Sequence, residues 1–197
     1  MVITLDHGEP TGPEVRRRIP AAELIEDEHI QHCTLQATAQ APDYFWKVPA
    51  STSGFHHPIC RGERGLWAHT LMVCTAVERL VDSYEARFDI NPDHARAAAI
   101  LHDQRKNGDR ENPSDTSVSD HDLRMASFAK EYGLPDPVSE AIAEHMGAWY
   151  DGPEPSSPLS ELVHNADMMA STANATLAVP GPIPEELEGL GLEEADL

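Results

Sequence analysis

The sequence predicts an all-α bundle, and three observations carry that prediction. Apolar residues recur at three- and four-residue steps, most clearly at Leu66, Val73, Ala76, Val77 and Leu80. Groups of Gly, Pro, Ser and Asn interrupt the periodic segments at intervals suited to helices. No segment carries a strand signal, so helix is expected to follow helix.

Taken in order, residues 1–19 contain Gly8, Pro10, Gly12 and Pro13 and are expected to form an irregular arm. A first helix is expected over 21–38, anchored by Leu24, Ile25, Ile30 and Leu35, followed by a long Pro-, Gly- and Ser-rich loop from Pro42 to Gly65. Leu66 to Phe88 forms the clearest helix. Asn91 and Pro92 break the chain before a helix from about Asp93 to Gln104, whose alanines allow close packing. Lys106 to Ser119 reads as a polar loop, and a helix from Asp120 to Tyr132 ends at Gly133. Asp136 is placed as the N-cap of a helix to Met146, with Pro137 at its first position. A linker from Pro153 to Pro158 leads to a last core helix, Leu159 to Thr172. Beyond Ala178, three prolines precede a tail with six acids between Glu185 and Asp196, expected to be mobile. The expected organisation is an arm and helix over 1–45, a core domain over 46–175 and a tail over 176–197.

A chain of 197 residues with 40 % apolar content can hold one domain with its own core. Its apolar runs fall far below the roughly 18 residues of a membrane helix, and its start lacks a basic stretch followed by an apolar one. A soluble, cytoplasmic protein without a membrane partner is expected. Cys33, Cys60 and Cys74 are odd in number and lack Cys-x-x-Cys spacing, which favours buried free thiols over a zinc ribbon or disulfide framework. Asn174-Ala175-Thr176 reads as a chance sequon.

Chemistry concentrates at His102-Asp103, which closes the run Ala-Ala-Ala-Ile-Leu. Neighbouring helical residues point about 100° apart, so this dipeptide can offer an imidazole nitrogen and a carboxylate oxygen to one cation or to two adjacent ones. Further ligands must come from other helices, and His69, His121, His145 and Asp167 are the candidates. His69 lies on an apolar stripe, where a solitary histidine is more often a core residue; the dyad supplies a reason for an inward imidazole. Imidazole with carboxylate suits Mn²⁺, Fe²⁺, Co²⁺, Ni²⁺ or Zn²⁺ better than Mg²⁺. His121-Asp122 is a second such dipeptide, in which Asp122 has an ordinary role near a helix N-terminus.

This order, His69, then His102-Asp103, then Asp167, resembles the HD-domain superfamily of metal-dependent phosphohydrolases, and His121 and His145 occupy the two further histidine positions of its extended pattern. The resemblance implies an HD-domain helical bundle, with His69, His102, Asp103 and Asp167 around one divalent metal. It also implies that Asp103 bridges to a second ion held with His121 and His145. Lys106 falls where many of these enzymes carry a lysine, and Arg105 stands where they often carry glycine. Asp103 and Lys106 are thus the expected catalytic residues. His164, three residues before Asp167, is not part of the pattern.

The stretch from Pro49 to Pro58, followed by Gly65-Leu66-Trp67-Ala68-His69-Thr70, is similar to the lead-in of HD domains related to 3′-to-5′ exoribonucleases. Those enzymes also carry an OB-fold, for which the N-terminal segment here is too short. The resemblances cover roughly residues 46–172. His56, His57, Arg105 and Trp149 are the candidate substrate contacts; surface roles for the histidines and Arg105, and a core role for Trp149, are the alternatives. The expected function is hydrolysis of phosphodiester or phosphomonoester bonds in nucleotides or single-stranded nucleic-acid 3′ ends. The alternatives are a small-nucleotide hydrolase acting on deoxynucleoside monophosphates or dinucleoside polyphosphates, and a regulatory module without turnover.

The chain carries 34 acidic residues against 14 basic ones, a net charge of −20, and its lysines are Lys47, Lys106 and Lys130. This composition resembles that of haloarchaeal proteins, in which molar salt screens the self-repulsion of an acidic surface; an ordinary acidic mesophilic protein is the alternative. On that reading, the melting temperature should rise between about 0.1 M and molar KCl, well past the range where the Debye length has already fallen below about 10 Å. A flat or falling curve from thermal melts across that range removes the halophilic interpretation.

Overall fold

In the computed structural model of the chain, residues 12–51, 55–148, 152–173 and 177–195 are described. Seven α-helices lie among them: α1 (Gly12–Arg18), α2 (Glu28–Ala39), α3 (Gly65–Glu85), α4 (Pro92–Leu101), α5 (His121–Glu131), α6 (Asp136–Glu144) and α7 (Pro158–Ser171). Extended structure among the described residues is confined to two short pairs. β1 (Gly108–Asp109) and β2 (Asn112–Pro113) are antiparallel, and β3 (Val179–Pro180) and β4 (Glu194–Ala195) are parallel. The fold is therefore all-α.

Helix α3 is the axis of the bundle. Every residue from Gly65 to Val77 is buried, so its first turns are enclosed on all sides by α4, α7 and the preceding loop. Its start depends on glycine at 65, where a Cβ would lie 2.0 Å from the Cys60 carbonyl oxygen. That close approach lets the lead-in fold back on the helix. Arg64 N donates to Lys47 O, Leu66 N to Val48 O, and Ala50 N to Cys60 O. One turn further on, the same helix carries His69. Helix α4 is opened by Asn91, whose side chain accepts from Asp93 N, and by Pro92. Ala95, Ala97, Ala98 and Ala99 are fully buried, and their small size brings neighbouring backbones close. Ser157 caps α7 through Ser160 N. Cys33, Cys60 and Cys74 are free and buried.

Several local expectations change. The arm contains α1, because Pro13 sits in the first turn, where it initiates a helix instead of breaking one. The helix expected over 21–38 is divided into a 3-10 turn, Pro20–Leu24, and α2. The division has a physical cause: the carboxylate of Asp93 accepts from Glu26 N and Asp27 N, while Asp27 accepts from His29 N and Ile30 N and so caps α2. The loop after α2 holds 3-10 turns at Asp43–Trp46 and Pro58–Arg61, and the polar loop after α4 holds the β1–β2 hairpin. Helix α6 begins at Asp136 with Pro135 in the cap position and no side-chain cap, so Asp136 is a first-turn acid and not the N-cap.

The acidic tail, expected to be mobile, is packed on the bundle over its described residues. Leu177, Val179, Leu187 and Leu192 are buried. Arg17 donates two hydrogen bonds of 2.7 Å to Glu186, and Arg64 donates to the Glu186 carbonyl. Its sparse apolar residues are spaced too irregularly to stand out in sequence against the acids. Leu187→Ala is accordingly expected to lower unfolding free energy by about 2–4 kcal/mol, measured by urea denaturation; a value near zero would show an undocked tail.

Candidate metal centre

Six side chains that the sequence singled out converge in the bundle interior, from five helices or their ends. His69 projects from the second turn of α3, His102 and Asp103 follow the last residue of α4, His121 opens α5, His145 follows α6, and Asp167 lies on α7. All are buried, the four imidazoles completely. Helix ends place three of the four histidines, and in each the ring is oriented by the carbonyl three residues earlier. His102 Nδ1 lies 2.8 Å from Ala99 O, His121 Nδ1 2.9 Å from Val118 O, and His145 Nδ1 2.7 Å from Ile142 O. A carbonyl only accepts, so each Nδ1 is the N–H donor and each Nε2 presents its lone pair to the interior.

Those lone pairs face the two oxygens of Asp103. Oδ1 lies 3.2 Å from His121 Nε2 and 3.7 Å from His145 Nε2; Oδ2 lies 3.6 Å from His102 Nε2 and 3.9 Å from His69 Nε2. His69 Nε2 is also 2.9 Å from Asp167 Oδ1. Ligand atoms bound at about 2.1 Å from one cation, at right or tetrahedral angles, stand roughly 3.0–3.4 Å apart. The observed separations are close to that range. Two groups could hold an ion, His69 with His102 and Asp103, and His121 with His145 and Asp103, each with donor atoms within 4.8 Å of one another. Asp103 belongs to both.

The donors fit a cation on a second count. His69 Nε2, His102 Nε2, His121 Nε2, His145 Nε2 and Asp103 Oδ1 are all buried and lack a hydrogen bond of acceptable geometry. Buried polar atoms without partners are costly, and five in one cluster require a common explanation. The electrostatics agree. Burial pushes the Asp103 carboxyl up, but Lys106, His102 and the neighbouring imidazoles outweigh it and hold it well below the usual range. Asp167 is likewise lowered: burial raises it, and His69 overrides that effect. Burial pushes His102 down to about 4, whereas at His145 the nearby Asp103 outweighs burial and raises the value.

The other candidates divide. Lys106 Nζ lies 2.6 Å from Asp103 Oδ2 and is part of the centre. The His56 ring packs edge-on against His69 at 4.7 Å and is half-buried. His57 accepts from Ile59 N and caps the turn after it, which gives it a structural task. Arg105, expected as a phosphate contact, is buried with its guanidinium 3.7 Å over the Phe128 ring and bound to Asp109 at 2.8 Å. The missing glycine is thus replaced by a residue that packs away. Trp149 lies outside the described residues.

Two supporting residues were not legible in the pattern. Tyr44 donates to Gly108 O at 2.6 Å and accepts from Asn107 N at 3.1 Å, fixing the segment just after Lys106; its sequence signal is nil, since it lies more than sixty residues away. His164 donates from Nδ1 to His145 O at 2.6 Å, so it holds the backbone of a candidate ligand.

The family model of the HD domain matches residues 66–171, more than half of the chain. Ribonuclease Y 2 of Levilactobacillus brevis is 34 % identical over 120 residues, which is 61 % of this chain and 20 % of that protein. The chain thus spans about a fifth of the length of this curated relative. No solved structure matches. If the two donor groups bind separate ions, metal analysis should find about two equivalents in the wild type and one in the His121→Ala/His145→Ala variant. Asp103→Ala should bind little metal and lose the thermal stabilisation that added metal confers, about 2.7 kcal/mol at a hundredfold excess over the dissociation constant.

Proposed function

This chain belongs to the HD-domain family, whose members are generally metal-dependent hydrolases, and we propose that it hydrolyses phosphate ester bonds in nucleotides or at nucleic-acid 3′ ends. The observation that carries this reading is the shared carboxylate: Asp103 turns one oxygen to His69 and His102 and the other to His121 and His145. A divalent cation in such a set supplies electrostatic stabilisation of phosphoryl oxygens and an activated water. The residues do the rest. Asp167 and the four histidines hold the centre, Asp103 joins its halves, and Lys106 brings a positive charge against Asp103 where a phosphate oxygen would approach. His56 closes one side of His69 and limits access of bulk water.

That every position of the ligand pattern is filled argues against a regulatory module without turnover. A polynucleotide substrate is supported by the name of the relative, a ribonuclease, and by the likeness of the 49–58 lead-in to that of exonuclease-related domains. The net charge of −20 supports the small-nucleotide alternative, because it opposes a polyanion more than a mononucleotide.

Mn²⁺-loaded protein should shorten a single-stranded oligonucleotide from its 3′ end, release 5′-mononucleotides as a ladder, and leave a circular strand intact. His102→Ala and Asp103→Ala should each lower the rate by more than the 10–100-fold typical of outer ligand partners, with helical content retained by circular dichroism. Intact oligonucleotides alongside dephosphorylated mononucleotides or split dinucleoside polyphosphates would establish the small-nucleotide reading instead.

A further inference from the structure

His69 differs from the other three histidines of the centre, whose rings are set by the carbonyl three residues earlier. It stands inside α3, where the equivalent carbonyl, Leu66 O, accepts the Thr70 hydroxyl at 3.1 Å. Both ring nitrogens of His69 are buried and lack a hydrogen bond among the described residues. Nε2 has an evident task, since it faces Asp167 at 2.9 Å and Asp103 at 3.9 Å. Nδ1 has none. A cation bound through Nε2 would leave the ring hydrogen on Nδ1, and a ligating histidine almost always donates that hydrogen to an acceptor. An acceptor is therefore required beside His69.

The His56 ring packs edge-on against that of His69, with centroids 4.7 Å apart and planes at 75°. Its Nδ1 is buried and unpaired although the residue is only half-buried, so this nitrogen faces the protein and not solvent. A neutral imidazole carries one donor and one acceptor. Rings in contact at this separation bring two nitrogens within hydrogen-bonding reach when one of them rotates. A single pairing would then satisfy both buried atoms. The backbone of His56 is fixed for such a role: Arg61 Nε donates to its carbonyl at 2.7 Å, and Cys60 N donates to His57 O at 2.8 Å. His57 is already committed, because its own Nδ1 accepts from Ile59 N. The two adjacent histidines thus divide the work, one capping a turn and the other packing on the centre.

We propose that His56 is a positioning residue of the metal centre: its Nδ1 accepts the Nδ1 hydrogen of His69 and so holds the His69 Nε2 lone pair towards Asp103 and Asp167. The proposal rests on the metal-dependent phosphohydrolase reading only for the presence of a cation, and it requires no particular substrate. It also gives the segment before α3 a part in metal affinity, beyond shielding the site from water.

Two substitutions separate an acceptor from a packed ring. His56→Phe keeps a flat ring against His69 and has no acceptor, whereas His56→Gln loses the ring and keeps a carbonyl oxygen. Calorimetric titration with Zn²⁺ should show the ion held by His69 bound about 10–100-fold more weakly in His56→Phe, and His56→Gln should recover most of that loss. In proton NMR spectra of the Zn²⁺-loaded protein, the His69 Nδ1 hydrogen should resonate downfield, as a hydrogen-bonded imidazole proton, in the wild type and in His56→Gln, and move upfield in His56→Phe. Equal affinity in the wild type and His56→Phe, or a larger loss in His56→Gln than in His56→Phe, overturns the proposal and leaves His56 as a packed shield. Wild-type protein that binds no Zn²⁺ removes the metal-dependent reading and the proposal with it. Metal affinity that depends on the His56 acceptor, without hydrolysis of any phosphate ester, upholds the proposal and removes the phosphohydrolase reading alone.

Discussion

Asp103 is buried among the ends of α4, α5 and α6 and the faces of α3 and α7, and the arrangement of the bundle follows from what a carboxylate in that position requires. An isolated buried charge costs far more than a domain's net stability allows, unless other groups compensate it. Lys106 supplies one direct partner at 2.6 Å. Asp167 adds a second buried carboxylate, so two carboxylates face the single ammonium of Lys106, and the four imidazoles around them direct their Nε2 atoms inward. A cluster with that composition could hold a divalent cation, which would compensate its buried carboxylates. Helix packing and site chemistry are thus one problem, since a shift of any helix changes a distance to Asp103.

The orientation of the imidazoles uses groups that helices leave over. The last four carbonyls of an α-helix have no partner within it, and Ala99 O and Ile142 O belong to the last turns of α4 and α6. By accepting from His102 Nδ1 and His145 Nδ1, they satisfy a helix end and fix a ring in the same contact. His121 differs, because its acceptor, Val118 O, lies in the loop before α5. Val118 N in turn donates to Lys106 O, so that loop is tied back to the lysine beside Asp103. Tyr44 holds the start of the same loop, just after Lys106, through Gly108 and Asn107. The half of the centre containing His121 therefore depends on loop geometry, and the half containing His69 and His102 on helix packing.

The all-α class and the approximate positions of α3 to α7 were legible because periodic apolar residues and breakers such as Asn91-Pro92 and Gly133 are local signals. The dyad and the four distant candidates were legible because the pattern preserves residue type at long intervals. What could not be read was whatever depends on a partner far along the chain. The break before α2 is caused by Asp93, and the burial of Arg105 is caused by Phe128 and Asp109. Neither Tyr44 nor His164 carries a local signature, since each acts on another segment's backbone. The acidic tail was hidden for a related reason: its few apolar residues gain meaning only against the surface that receives them.

That surface connects the tail to the centre. Glu186 joins Arg17 of α1 through its carboxylate and Arg64 through its carbonyl. Arg64 has φ of 65°, the only positive value at a non-glycine residue among those described, and it immediately precedes the Gly65 on which the start of α3 depends. A left-handed conformation is unfavourable for arginine by about 1–2 kcal/mol, and it persists where surrounding contacts over-determine it. Here those contacts are Lys47 O on the Arg64 amide and Glu186 on its guanidinium. One helical turn separates this residue from His69. The docked tail is therefore one of the constraints that set where α3 begins, and hence where its histidine meets Asp103 and Asp167.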